Sequence, residues 1–463
     1  MKQIILSPLI APLILILAAI YLILVFNAVG KDRKLALNWE KFFLCLFLFC
    51  ISGATGIGVS PYSKLNPNVL YLVGTTAPTI ISQLGYYGIN LLLLSSVLKD
   101  SLKDMVQVFT TIITKDPFIS AFLLIVSLSS FWSDTPSFTN KAAMVYLFTS
   151  IFVIYIGKRY TWEELFVMWR WINCCVMVMS LYYGFFKPSI GRSELGWTGV
   201  LGHKNQFSFF MAQTAFLWIL YAINSPKDRG KSIIIILGSL LGLQNGGSGA
   251  SKILVVVSLA LLSYLGFLKK LKVQWAFVAV ILLMIGSVCL TILISENLEF
   301  IVVDTLHKDM SITGRMDFWP QVIDNINKRP FLGFGVYSFW MPWRGADDPG
   351  RRIIVAKTQF IPPHSHNGFL DMALELGWVG LILFICSFIS NIAKGVIYLS
   401  KNKLPESGLP LFLLNYILMT NFTETGLFGI TSIWAWYLIL TTRLCIDSSS
   451  NPINQKDKLP KVT

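Results

Sequence analysis

The run Gln274-Trp-Ala-Phe-Val-Ala-Val-Ile-Leu-Leu-Met-Ile-Gly-Ser-Val-Cys-Leu-Thr-Ile-Leu-Ile294 carries no charged residue. It is long enough to cross a bilayer as a helix, which takes about 17–25 apolar residues. Working outward, runs of the same kind recur near 5–29, 41–58, 78–98, 117–132, 142–157, 163–185, 205–223, 232–244, 252–268, 367–393, 408–421 and 425–443. The chain therefore reads as an all-α polytopic membrane protein, a bundle of about 12–13 transmembrane helices. Residues 1–463 form one integral membrane domain, with one large extracytoplasmic loop at 295–366 and a tail at 446–463. The first run is expected to be a retained helix, because its apolar core exceeds the roughly 7–15 residues of a signal peptide.

Composition agrees. Of 463 residues, 54% are apolar and 13% charged, against about 25% charged in a soluble domain. That excludes an ordinary soluble protein, and also a disordered one, which needs low hydrophobicity and many charges. The net charge of +14 does not imply nucleic acid. The basic residues gather in alternate loops: Lys31, Arg33, Lys34 and Lys41; Lys99, Lys103 and Lys115; Lys158 and Arg159; Lys227, Arg229 and Lys231; Lys269, Lys270 and Lys272; Lys394, Lys401 and Lys403; and the C-terminal tail. Cytoplasmic loops are enriched in Lys and Arg. These loops and the C-terminus are thus expected inside, with 133–141, 186–204, 245–251, 295–366 and 421–424 outside. The seven cysteines lie in or beside apolar runs without metal or redox spacing, and read as small buried hydrophobes. Gln244–Ser251 is a Gly/Ser turn that lacks the context of a phosphate loop.

Polar chemistry collects on the outer side. The long loop holds the aromatics Phe318, Trp319, Phe331, Phe334, Tyr337, Phe339, Trp340 and Trp343. Such rings, with amide and charged neighbours, suit a sugar-binding surface or an interfacial aromatic belt. All four histidines, His203, His307, His364 and His366, are external. His366 sits just before a span, where an imidazole can take a proton at neutral pH. No third residue lies at a metal-like spacing from His364 and His366, so no metal site is expected. Arg192 and Arg315 offer planar forks suited to phosphate oxygens. Asp371 and Glu375, at i and i+4 within a span, are costly in lipid and expected to be functional.

Three pieces together resemble the O-antigen ligase and Wzy-type polysaccharide polymerase family: Gly199-Val-Leu-Gly-His-Lys-Asn205, Thr313-Gly-Arg-Met-Asp-Phe-Trp319, and His364-Ser-His-Asn367 followed nine residues on by Gly377-Trp-Val-Gly380. Trp132-Ser133-Asp134 and Thr423-Glu424 are similar too, and the ordered match covers about residues 120–440. The resemblance implies a glycosyltransferase that uses an undecaprenyl diphosphate-linked glycan at the periplasmic face of the bacterial inner membrane, with no cofactor. It implies His366 as general base and Arg192 and Arg315 as diphosphate ligands. Lys204, His203, Asn205, Asn367, His364 and Trp319 would bind substrate. By analogy a flippase and a chain-length regulator would be partners. A polymerase of repeat units is favoured over a ligase that hands the glycan to lipid A–core. A flippase or transporter fits poorly, because no internal repeat or mid-membrane charge ladder is evident.

Overall fold

A computed structural model describes residues 24, 28, 31–54, 101–306, 314–341, 347–355, 361–402, 405–427 and 431–448, with the side chains of 33, 101–105, 291–306, 314–317 and 405–406 left out. The described residues are overwhelmingly helical. The helices are α1 (Arg33–Phe49), α2 (Ser101–Lys115), α3 (Pro117–Leu128), α4 (Pro136–Arg159), α5 (Trp162–Phe186), α6 (Lys204–Asn224), α7 (Arg229–Gly246), α8 (Gly249–Leu268), α9 (Val273–Leu306), α10 (Gly314–Lys328), α11 (Gly368–Lys401), α12 (Leu409–Thr423) and α13 (Ser432–Asp447). A two-stranded hairpin, β1 (Arg192–Ser193) against β2 (Gly196–Trp197), sits between α5 and α6.

Seven of these helices are long and apolar enough to cross a membrane, or eight when α2 and α3 are taken as one bent span. The protein is thus an all-α, multi-pass membrane protein. Every span expected from the sequence within the described residues has its helix; the runs near 5–29 and 78–98 lie outside them. Several boundaries differ, among them the start of α1 at Arg33 rather than near 41. α9 continues past Ile294 to Leu306. α11 runs on to Lys401. The last helix begins at Ser432 rather than 425, because Thr431 caps it by accepting from the Trp434 amide.

Local chemistry explains the breaks. Asp116 caps α3 and Pro117 opens it, so α2 and α3 meet at 109°; proline suits the first helical position, where its missing N–H goes unused. The buried Asp116 carboxylate also accepts from Ser387 Oγ and pairs with Lys394 Nζ at 3.3 Å. Thr161 and Glu164 make a reciprocal capping box at the start of α5. Burial then sorts the helices. α6 hides 72% of its apolar window and α9 only 22%, so α6 lies in the bundle interior and α9 at its lipid-facing rim. α12 is buried along nearly its whole length. The interior is aromatic: Phe216 stacks on Phe412, Trp169 on Trp436, and Tyr437 lies beside Phe384.

Within α11 the helix breaks at Gly377 (φ 67, ψ −174). The break leaves backbone groups that the loop after α10 satisfies. Phe334 and Gly335 amides donate to the Leu374 and Glu375 carbonyls, while Trp378 and Val379 amides donate to the Pro330 and Phe331 carbonyls. This docking fixes the long loop onto one end of the bundle. A second anchor comes from the Trp132-Ser133-Asp134 stretch: Trp132 Nε1 donates to the Leu332 carbonyl and Arg329 pairs with Asp134 at 2.7 Å.

Candidate active site

The strand entering α11 is held from both sides. Trp319 Nε1, from α10, donates to the Ser365 carbonyl at 2.9 Å, and the Ser365 amide donates to Asp371 Oδ1 at 3.1 Å. Ser365 Oγ donates to the Asn367 carbonyl, and Asn367 Oδ1 caps α11 by accepting from the Phe369 and Leu370 amides. With Ser365 and Asn367 committed to the backbone, the two histidines project together. His366 takes a left-handed conformation (φ 52), which histidine tolerates better than most residues. Its amide donates to His364 Nδ1 at 3.0 Å, and the two rings lie 4.1 Å apart.

The partner of His366 comes from 58 residues further along the chain. Glu424 follows the last residue of α12, and its Oε2 lies 3.3 Å from His366 Nδ1. Two features bring it there. Gly368 permits close approach, since a Cβ there would sit 2.5 Å from Asn421 Oδ1. Asn421 in turn accepts from the Gly426 and Leu427 amides and so shapes the turn that carries Glu424. The other carboxylate oxygen, Oε1, accepts from Asn205 Nδ2 at 2.6 Å. Asn205 is in the first turn of α6, launched by the Gly199 and Gly202 turns with φ of 55 and 73. The result is a relay Asn205–Glu424–His366, half-buried, with His366 17% and Glu424 11% exposed.

This arrangement has a chemical consequence. A carboxylate beside Nδ1 favours the tautomer with the proton on that nitrogen, which leaves the Nε2 lone pair to accept a proton. On the far side, Thr425 Oγ1 donates to Asp371 Oδ2 and lies 3.3 Å from His364 Nδ1. Asp371 also accepts from Trp340 Nε1, and Glu375 accepts from the Ser338 amide. The two intramembrane carboxylates thus anchor the loop and the histidine strand.

The fold therefore gathers His364, His366, Asn205 and, through hydrogen bonds, Trp319 and Asn367. His203 and Lys204 stand half-buried beside Asn205 where α6 begins. Arg192 is not in this cluster. Its Nε donates to the Gly184 carbonyl and its guanidinium stacks 4.9 Å over Trp197, both within or next to its own hairpin. Arg315 is in the first turn of α10, but its side chain, like His307 and Trp343, lies outside the described residues. Of the loop aromatics, Phe318, Phe334 and Phe339 are buried in the core and cannot stack on a sugar. Phe331 stays exposed. Glu424 is the site residue that candidate-by-candidate reading of the sequence passed over. It was visible there only as part of Thr423-Glu424. The expectation that no third ligand accompanies the two histidines also fails, because Glu424 joins His364 and His366 from 58 positions away with all three ligand atoms within 4.8 Å of one another.

Residues 233–385 match the family model described as O-antigen ligase. Over that stretch the chain resembles the O-antigen ligases. It is similar to the exopolysaccharide production protein ExoQ of Rhizobium meliloti, 23% identical over 354 residues, an alignment that covers 71% of this chain and 74% of that one. It is also similar to the ComP-specific O-oligosaccharyltransferase of Acinetobacter baylyi, 26% identical over 287 residues, covering 58% of this chain and 50% of that one. The O-antigen ligase match includes the long loop and the histidine strand, whereas Asn205 and Glu424 fall outside it. Those two residues join the site through the fold.

Proposed function

We propose that this protein polymerises glycan repeat units carried on undecaprenyl diphosphate, at the periplasmic face of the inner membrane. The observation that carries the reading is the Asn205–Glu424–His366 relay at the outer end of the bundle. In this reaction the acceptor sugar hydroxyl gives its proton to His366 Nε2 as its oxygen attacks the anomeric carbon of the donor. The bond from that carbon to the diphosphate oxygen breaks, and the electron pair leaves with the diphosphate. Attack opposite the leaving group inverts the anomeric centre. A diphosphate is already a good leaving group, so the step asks mainly for neutralisation of developing charge. Arg315, Arg192 and Lys204 are the cationic groups proposed for that, and His203, His364, Asn367 and Trp319 the residues that position the strand and the sugars. General-base catalysis contributes about 10²–10⁴-fold, so His366→Ala should lose that much activity at normal protein levels.

The similarity to an exopolysaccharide production protein supports the polymerase. The O-antigen ligase match and the oligosaccharyltransferase relative favour a second reading, transfer of the finished glycan to another acceptor such as lipid A–core. The lipid-linked glycans of cells lacking the protein separate the two. Single repeat units on undecaprenyl diphosphate, with polymer absent, are the expected result. Long polymer still on that lipid would mean the ligase, and an unchanged profile would refute both.

A further inference from the structure

We infer that His364, His366 and Glu424 form a binding site for a divalent cation of the zinc class, and that its occupancy switches off the histidine base. The ligand set is right: two imidazole nitrogens and one carboxylate oxygen, with every ligand atom within 4.8 Å of the others. The spacing is close to right as well. Two ligands each roughly 2.0–2.1 Å from a tetrahedral metal stand about 3.4 Å apart, and His366 Nδ1 and Glu424 Oε2 are already 3.3 Å apart. His364 has to close the remaining gap by little more than roughly 1 Å, and its ring centre already lies 4.1 Å from that of His366. Its Nδ1 now accepts the His366 amide, and ligation through that atom would exchange this hydrogen bond for the metal. All three residues are half-buried, so water can supply the fourth position. Three protein ligands and one open position is the usual arrangement of a reactive rather than a structural zinc site.

The second shell supports the same ion. Asn205 Nδ2 holds the other carboxylate oxygen of Glu424 at 2.6 Å, and such outer contacts orient metal ligands and raise their affinity.

Silencing follows from proton bookkeeping. A neutral imidazole carries one ring proton. With a metal on Nδ1, that proton must sit on Nε2, so the lone pair that would deprotonate the acceptor hydroxyl is gone. No oxidant or further reactant is involved. Binding of the ion stands on the geometry alone, whereas the silencing rests on the base role proposed above.

The test uses full-length, tag-free protein in detergent. Co²⁺ is titrated and followed by its visible absorption, then displaced by Zn²⁺. The expected result is one Co²⁺ per chain with the spectrum of a four-coordinate ion. Glu424→Gln and His364→Ala should each weaken binding by roughly tenfold or more. Absence of saturable binding, or binding in both variants as tight as in the parent protein, would overturn the site. Glu424→Gln keeps the side-chain size, so it decides the matter if His364→Ala does not fold. Zn²⁺ should also abolish glycan transfer, with recovery on chelation. Stoichiometric binding without loss of transfer would overturn the silencing. A His366→Ala protein that still transfers glycan would instead sink the proposed base, leaving the Co²⁺ result to be read on its own.

Discussion

Replacing Gly377 by Ala tests whether the α11 break is what mounts the long loop. A Cβ at this position would lie 2.2 Å from the backbone C and O of Phe331 and 2.5 Å from the Leu332 amide nitrogen. All three contacts are backbone, so no side chain can rotate away. The conformation itself (φ 67, ψ −174) is one that only glycine adopts readily, at a cost of about 1–3 kcal/mol for another residue. The clash pushes residues 330–335 off the helix and breaks the four backbone hydrogen bonds that cross the break. At about 1 kcal/mol each, those bonds bring the total to about 5–7 kcal/mol. Each 1.4 kcal/mol is about a factor of ten in an equilibrium, so local protection should fall by about a thousandfold or more. Hydrogen–deuterium exchange of the peptides spanning 330–341 and 377–382 reads this directly. The comparison is Gly230→Ala, where a Cβ meets nothing within 4 Å and a helical alanine should be neutral or stabilising by up to about 1 kcal/mol. Protection of the Phe334, Gly335, Trp378 and Val379 amides within tenfold of the parent protein would refute the docking account.

Two further outcomes follow from the same structure. Glu424→Gln keeps a contact with Asn205 but can present its amide N–H to His366 Nδ1, favouring the tautomer with the proton on Nε2; turnover should drop by about 10²–10⁴ with KM nearly unchanged, and full turnover would remove Glu424 from the relay. Asp116→Ala leaves Lys394, which is 12% exposed, without its buried partner; the loss should be about 3–5 kcal/mol, while Asp116→Asn, which can still cap α3 through Oδ1 and donate to Ser387 Oγ through Nδ2, should lose less. Denaturant unfolding followed by tryptophan fluorescence checks this, and equal stability of the two variants would contradict the ion-pair reading.

Much of the site was legible in the chain before the fold was considered. His364-Ser-His366-Asn367 stood out because polar, titratable residues crowd the edge of an apolar run, where burying them has a cost that demands a reason. Asn205 was flagged by its place in Gly202-His-Lys-Asn205 at a helix start. Asp371 and Glu375 stand out in the chain by their cost in lipid, and only the fold shows that they accept hydrogen bonds from Trp340, Ser365 and Ser338. Arg192 shows what the chain alone leaves open. A guanidinium in an external loop is equally ready to bind phosphate or to stack on its own hairpin, and here it stacks on Trp197. The burial of Phe318, Phe334 and Phe339 was not readable either, because a loop has no periodicity to tell inward from outward.

The sequence by itself determined the membrane class, the helices and the end of the bundle where chemistry collects. Each of these depends on local composition: an uncharged run of bilayer length is a helix in lipid whatever its neighbours, because its backbone polar groups have no other partner. Only the tertiary structure decided that Glu424 meets His366 and that residues 330–335 fill the α11 break. These contacts join positions 58 residues apart in the first case and 40 or 48 in the second. They arise from helix packing and from two glycines whose missing side chains allow close approach, of the Asn421 side chain at Gly368 and of the Phe331 and Leu332 backbone at Gly377, a property that no spacing rule along the chain can display.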